Sequence, residues 1–150
     1  MLVEKLDQLL EQRESKMIEI RRHLHMHPEV SYQEKETSQF VTRFYDNKEV
    51  TIQTNVGGYG VKVVIDSKKP GKTIALRADF DALPIPEQTG VDFASVNPGV
   101  SHACGHDAHT AYLLTLADVL IEMKEDLVGK VVLIHQPAEE VPPGGAIHMI

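Results

Sequence analysis

Lys130-Val-Val-Leu-Ile-His135 is the segment that most narrows what this chain can fold into. An unbroken apolar run of this length reads as a buried strand, and a buried strand needs neighbours. Val50-Thr-Ile-Gln-Thr54, Val61-Lys-Val-Val-Ile65 and Thr73-Ile-Ala-Leu-Arg77 supply them, with Gly57-Gly58 between the first two and a Lys69-Pro-Gly-Lys72 turn before the third. Helical periodicity occupies the rest. Leu2, Leu6, Leu9, Met17, Ile20 and Leu24 form one stripe and predict a helix over residues 2–26, with His23, His25 and His27 in its last turn and Pro28 after it. Ser31-Tyr-Gln-Glu34 has the pattern of a capping box ahead of a helix from Tyr32 to Tyr45. A third helix runs from about Asp107 to Met123, with apolar positions around much of its girth, and Gly144 begins another. Helices alternating with apolar strands predict an α/β protein, a three-layer α/β/α sandwich.

The 150 residues suit one domain with a real core. A net charge of −7 argues against nucleic acid as partner, since phosphate binding needs a basic face. No apolar run approaches a membrane span. The charged residues among Met1-Leu-Val-Glu-Lys-Leu-Asp-Gln8 do not resemble a signal peptide, so a cytoplasmic protein is expected. Cys104 is the only cysteine, which excludes an internal disulfide.

Chemistry concentrates in three places. Ser101-His-Ala-Cys-Gly-His-Asp-Ala-His109 leads into the predicted third helix. Thiolate, imidazole and carboxylate all ligate zinc and related ions, and Gly105 lets Cys104 and His106 turn toward one point. A helix N-terminus is also expected to lower the Cys104 pKa. Glu139-Glu140 follows the strand that ends at His135, where open α/β sheets bind ligands. Two adjacent glutamates can divide the work of metal ligand and general base. Arg77-Ala-Asp-Phe-Asp81 occupies the equivalent position after the third strand, and one of its aspartates could orient a ligand imidazole. Taken singly, each group has a plainer reading as a buried thiol, an acidic turn or a strand-end cap. Their coincidence at strand ends favours a site.

Leu76-Arg-Ala-Asp-Phe-Asp-Ala-Leu-Pro-Ile85, His102-Ala-Cys-Gly-His-Asp-Ala-His109 and His135-Gln-Pro-Ala-Glu-Glu140 with Pro142-Pro-Gly-Gly145 resemble the M20 peptidase family, amidohydrolase subgroup. Arg21-Arg-His-Leu-His-Met-His-Pro-Glu29 also resembles that subgroup. The resemblance implies a zinc-peptidase-like fold and a pair of divalent ions, zinc, manganese or cobalt. Cys104, His106 and Glu140 would be metal ligands. Glu139 would be the catalytic base that takes a proton from water and passes it to the leaving amine, and Asp81 the helper carboxylate. The role of Asp79 is left open, and Asp107 and His109 are assigned to support. The substrate would be an N-acyl amino acid or similar small amide.

The same resemblance implies longer, homo-oligomeric members with further histidine ligands and an inserted dimerisation domain. The expectation is therefore an N-terminal portion of a catalytic domain, with an incomplete sheet and little or no hydrolysis from these residues alone. The alternatives are a non-catalytic remnant that binds metal or a partner, and a redox-sensitive protein using Cys104 as a reactive thiol.

Overall fold

A computed structural model describes residues 1–150. In chain order the elements are α1 (Leu2–Glu11), α2 (Glu14–Met26), α3 (Lys35–Phe44), β1 (Thr51–Val56), β2 (Gly60–Asp66), β3 (Thr73–Asp79), α4 (His106–Glu122), β4 (Lys130–Gln136) and α5 (Ala146–Met149). The strands form one sheet in the order β1-β2-β4-β3. The apolar run in β4 thus lies inside the sheet, antiparallel to β2 and parallel to β3. β3 pairs on one edge only, so the sheet is open, as expected.

The parallel β3–β4 pairing carries the functional consequence. It sets Asp79 opposite Gln136, so the segments that follow the two strands emerge side by side. α4 is the crossover between them. Val61, Val63, Ile65, Ala78 and Leu133 share a core with Ile20 and Leu24 of α2, Val41 of α3, and Ala111, Leu113, Leu114 and Ala117 of α4. Fully burying each large aliphatic side chain contributes about 1.5–3 kcal/mol, and this core anchors α4 against the strand ends. Lys62, Val64, Val132 and Ile134 alternate onto the opposite face and are half-buried.

Two expectations at the N-terminal end need correction. The helix predicted over residues 2–26 is two helices, broken at Gln12-Arg13. No glycine or proline marks the break. It follows from tertiary anchoring: the Arg13 guanidinium donates to Asp118 Oδ2 at 2.8 Å and to Leu9 O at 3.1 Å, and also pairs with Glu122. The second helix starts at Lys35 rather than Tyr32, and Ser31 and Glu34 do not form a capping box. Tyr32 has φ 66°, outside helical space. The early amides are taken by Glu29, whose carboxylate accepts from Glu36 N–H at 3.1 Å and Thr37 N–H at 2.7 Å.

The long connection between β3 and α4 lacks regular structure but is fastened down. Bridges pair Val30 with Ala82 and Leu83 with Ser101. Asn97 Nδ2 donates to Pro28 O at 2.8 Å, and Val96 N–H to Met26 O at 2.9 Å. No helix is long and apolar enough to cross a membrane.

Candidate metal centre

His106, the first residue of α4, is the hub. Its ring is 2% exposed as a residue. Nδ1 lies 2.9 Å from Asp81 O and 3.1 Å from Asp81 Oδ1. Both of those atoms only accept hydrogen bonds, so Nδ1 carries the hydrogen and Nε2 presents a lone pair. Nε2 faces a ring of carboxylates: Asp79 Oδ1 at 3.6 Å, Glu140 Oε1 at 3.6 Å and Glu139 Oε2 at 3.7 Å. Burial disfavours an imidazolium here. The Asp81 hydrogen bond and the charges of Asp79, Asp81 and Glu140 outweigh it, holding His106 above its ordinary pKa.

Asp81 sits just beyond β3, 1% exposed. Its burial would raise the pKa, but donors win: His106, the Glu140 amide at 2.9 Å and Ser31 Oγ at 2.7 Å hold it down to about 2. One carboxylate thus ties together the two site segments and the loop before α3. This is the arrangement in which an outer carboxylate fixes a ligand imidazole's tautomer and direction.

Cys104 precedes His106 across Gly105, which has φ 114°, a conformation that side-chain-bearing residues rarely adopt. This turn brings Cys104 Sγ, a His106 ring nitrogen and a Glu140 oxygen within 4.8 Å of one another. A second trio, Asp79, His106 and His109, meets the same limit. His106 has one free nitrogen and can serve only one of them. Asp79 is already engaged, by Arg77 at 2.9 Å and by His109 Nδ1 at 2.7 Å. Glu140 Oε1, by contrast, is buried without a hydrogen-bond partner. An orphaned carboxylate oxygen beside a thiol and an imidazole lone pair is a donor set that fits a divalent cation.

The thiol does not behave as its position before a helix suggests. Desolvation, together with the facing carboxylates of Glu140, Asp79 and Glu139, pushes Cys104 above its ordinary value. The partial charge of a helix N-terminus is outweighed by desolvation and by full charges nearby. This overturns the expected low pKa and weakens the reactive-thiol reading, since the thiolate is the reactive form. It also yields a prediction. Cys104, raised from its ordinary value of 9.0, must lose its proton for an ion to bind, and any fraction of His106 protonated at Nε2 must lose that proton too. Apparent affinity for Zn²⁺ or Co²⁺ should therefore climb with pH through neutrality and above. Calorimetry in buffers of different ionisation enthalpy should show net proton release as an ion binds, with the thiol proton as its main source. Binding that is flat between pH 6 and pH 8 would contradict this.

The remaining motif residues surround these groups. Asp107, 1% exposed, accepts from Arg21 Nε at 3.1 Å and from His25 Nδ1 at 2.8 Å. The other ring nitrogen of His25 lies 2.9 Å from Glu87 Oε1. His25 is therefore a buried strut between α2, the start of α4 and the long loop that carries Glu87. His102 is buried and neutral, its pKa lowered to about 4 chiefly by burial. His109 is half-exposed beside Asp79, whose backbone carbonyl also accepts from Thr110 Oγ1 at 2.8 Å. Sequence reasoning missed Ser31, Glu34 and Glu87. The first two were hidden by their resemblance to a cap, and Glu87 lies in a loop with no periodic signal.

An open sheet thus gathers thiol, imidazole and carboxylate donors beyond two parallel strand ends. The description "Peptidase family M20/M25/M40" matches residues 75–150, and the chain belongs to this family. A solved structure from methicillin-resistant Staphylococcus aureus is 64% identical with a TM-score of 0.96, over 97% of this chain and 38% of that one. The Bacillus subtilis YXEP protein, a dinuclear metal-binding peptidase of the M20 family, is 41% identical with a TM-score of 0.84, over 90% of this chain and 38% of its own. An N-acyl-L-amino acid amidohydrolase of Geobacillus stearothermophilus is 42% identical over 100% of this chain and 40% of its own length. The chain thus spans about two-fifths of the length of these relatives.

Proposed function

We propose that this chain provides the metal-binding and proton-transfer residues of a cytoplasmic amidohydrolase acting on N-acyl amino acids or similar small amides. The observation that carries the reading is the buried, unpartnered Glu140 Oε1, turned toward the same point as Cys104 Sγ and His106 Nε2. Cys104, His106 and Glu140 would hold a divalent ion, zinc, manganese or cobalt. The dinuclear Bacillus relative supports a pair of ions in the longer proteins, and the Geobacillus relative supports the substrate class. When bound, such an ion polarises an amide carbonyl and acidifies water.

This chain's own residues do the rest. Asp81 keeps the His106 hydrogen on Nδ1, so that Nε2 faces the site. Glu139, its side chain 42% exposed, stands at the open side as base. It takes the proton of the attacking water and returns it to the departing amine, so that one amide becomes a carboxylate and an amine. Three donors hold an ion less firmly than a full set, so turnover from these residues alone is expected to be slow.

The test is amine release from N-acetyl and N-benzoyl amino acids by the purified chain. Added Mn²⁺, Zn²⁺ or Co²⁺ should produce slow hydrolysis, a chelator should stop it, and ion replacement should restore it. Tight ion binding with no amine release under any of these ions would favour a non-catalytic metal-binding remnant. Absence of ion binding would remove the reading altogether.

A further inference from the structure

Ser31 and Glu34, which the sequence pattern assigns to a helix cap, turn inward to the site instead. Ser31 reaches Asp81. Glu34 reaches further. It is 0% exposed, and its Oε1 accepts from the backbone N–H of Ala138 at 2.7 Å, across 104 residues of sequence. Its Oε2 is buried without a partner. Burying a carboxyl is costly, and burial pushes this one above its ordinary pKa. An apolar side chain would pack the same volume more cheaply, so the acceptor itself needs a reason.

Ala138 supplies one. It has φ 50°, in the left-handed region that costs a non-glycine residue free energy. Its carbonyl accepts from Gly145 N–H at 2.7 Å. A side chain at Gly145 would place its Cβ 1.9 Å from Pro137 O, so the reversal is closed tightly from that side. Glu34 closes it from the other. Glu139 and Glu140 follow immediately, and the Glu140 amide is then taken by Asp81.

We propose that Glu34 is a positioning residue whose hydrogen bond to Ala138 holds the Pro137–Glu140 turn in the strained conformation that aims Glu140 at Cys104 and His106. The inference rests on the metal-site reading above, because what it explains is the direction of a candidate ligand. Glu34→Gln keeps an acceptor of the same length. Glu34→Met keeps the length and apolar bulk, so the chain stays packed, but offers no acceptor.

Co²⁺ titration of the three proteins is the test. In Glu34→Gln the affinity and the visible spectrum should match wild type. In Glu34→Met the affinity should fall about 10- to 100-fold, the range found when an outer partner of a ligand is lost. The sulfur-to-cobalt charge-transfer band should persist, because Cys104 still binds. The d–d bands should weaken and shift, because Glu140 no longer closes the coordination shell. A role in stability alone lowers the melting temperature and leaves the spectrum of the folded variant unchanged. A Glu34→Met protein with wild-type affinity and bands overturns the proposal.

A wild-type chain with no charge-transfer band refutes the metal reading instead, and the metal-free loop then decides the fate of Glu34. Amide exchange protection at Ala138, retained in Glu34→Gln and lost in Glu34→Met, supports the hydrogen bond as the element that orders the turn. Equal protection in all three proteins refutes it.

Discussion

Glu139→Gln in the ion-loaded chain is expected to lower the hydrolysis of N-acetyl amino acids by about 10²- to 10⁴-fold, the usual contribution of a positioned general base. Affinity for the ion should barely change. The asymmetry of the glutamate pair motivates both halves of this expectation. Glu140 is the more enclosed side chain, 18% exposed, and its backbone amide is fixed by Asp81. Glu139 is 42% exposed and stands on the open side, where water and substrate arrive. Glutamine preserves the length and polarity of Glu139 but cannot accept a proton to form a neutral acid. The loss should therefore fall on the rate constant at saturating ion, and a Co²⁺ titration of the same variant should superimpose on wild type. If affinity collapses together with rate, Glu139 is a ligand and the roles assigned within the pair are reversed.

Much of the fold was legible because its signals are local. β4 is recognisable from Val131 to Ile134, whose apolar run requires an interior strand and obtains one. The α4 helix shows an apolar surface that matches its burial between α2 and the sheet. The break between α1 and α2 was not legible, because Arg13 looks like any exposed helical arginine until Asp118 and Glu122 are brought opposite it. Secondary structure there is decided by contacts more than 100 residues distant along the chain. The mixed direction of the sheet was equally hidden. Nothing in β2 announces that it runs antiparallel to β4.

The clustering of the candidate donors was legible to the extent that their chemistry is rare. Cysteine, histidine and paired glutamates at these spacings left few alternatives, and the parallel β3–β4 pairing gathers Cys104, His106 and Glu140 together. What failed was the electrostatic reading of Cys104. A sequence shows that a thiol precedes a helix. It does not show that desolvation, joined by Glu140, Asp79 and Glu139 facing that thiol from elsewhere, reverses the sign of the shift. Ser31-Tyr-Gln-Glu34 failed for a related reason. The cap pattern is satisfied by residue type alone, whereas the real partners of Ser31 and Glu34 are Asp81 and Ala138. Local grammar competes with long-range demand, and around this cluster the second prevails.

Cys104→Ala should weaken divalent-ion binding by more than about 100-fold, beyond the 10- to 100-fold typical of losing an outer partner. The thiol is the one soft donor in the trio, so Zn²⁺ and Co²⁺ should suffer more than Mn²⁺, which prefers oxygen and nitrogen. Folding should be little affected. Cys104 is exposed and outside the core cluster, so its removal opens no cavity. Proton release on residual binding should drop by about one per ion, since the thiol proton is no longer there to lose. That stoichiometric change separates ligation from simple proximity. A cysteine that merely lined the site would leave the proton count intact, and its alkylation rate would be indifferent to added ion. If labelling of wild-type Cys104 proceeds equally fast with and without Zn²⁺, the thiol is not a ligand. Desolvation and the surrounding carboxylates would then have raised its pKa without any cation to bring it back down.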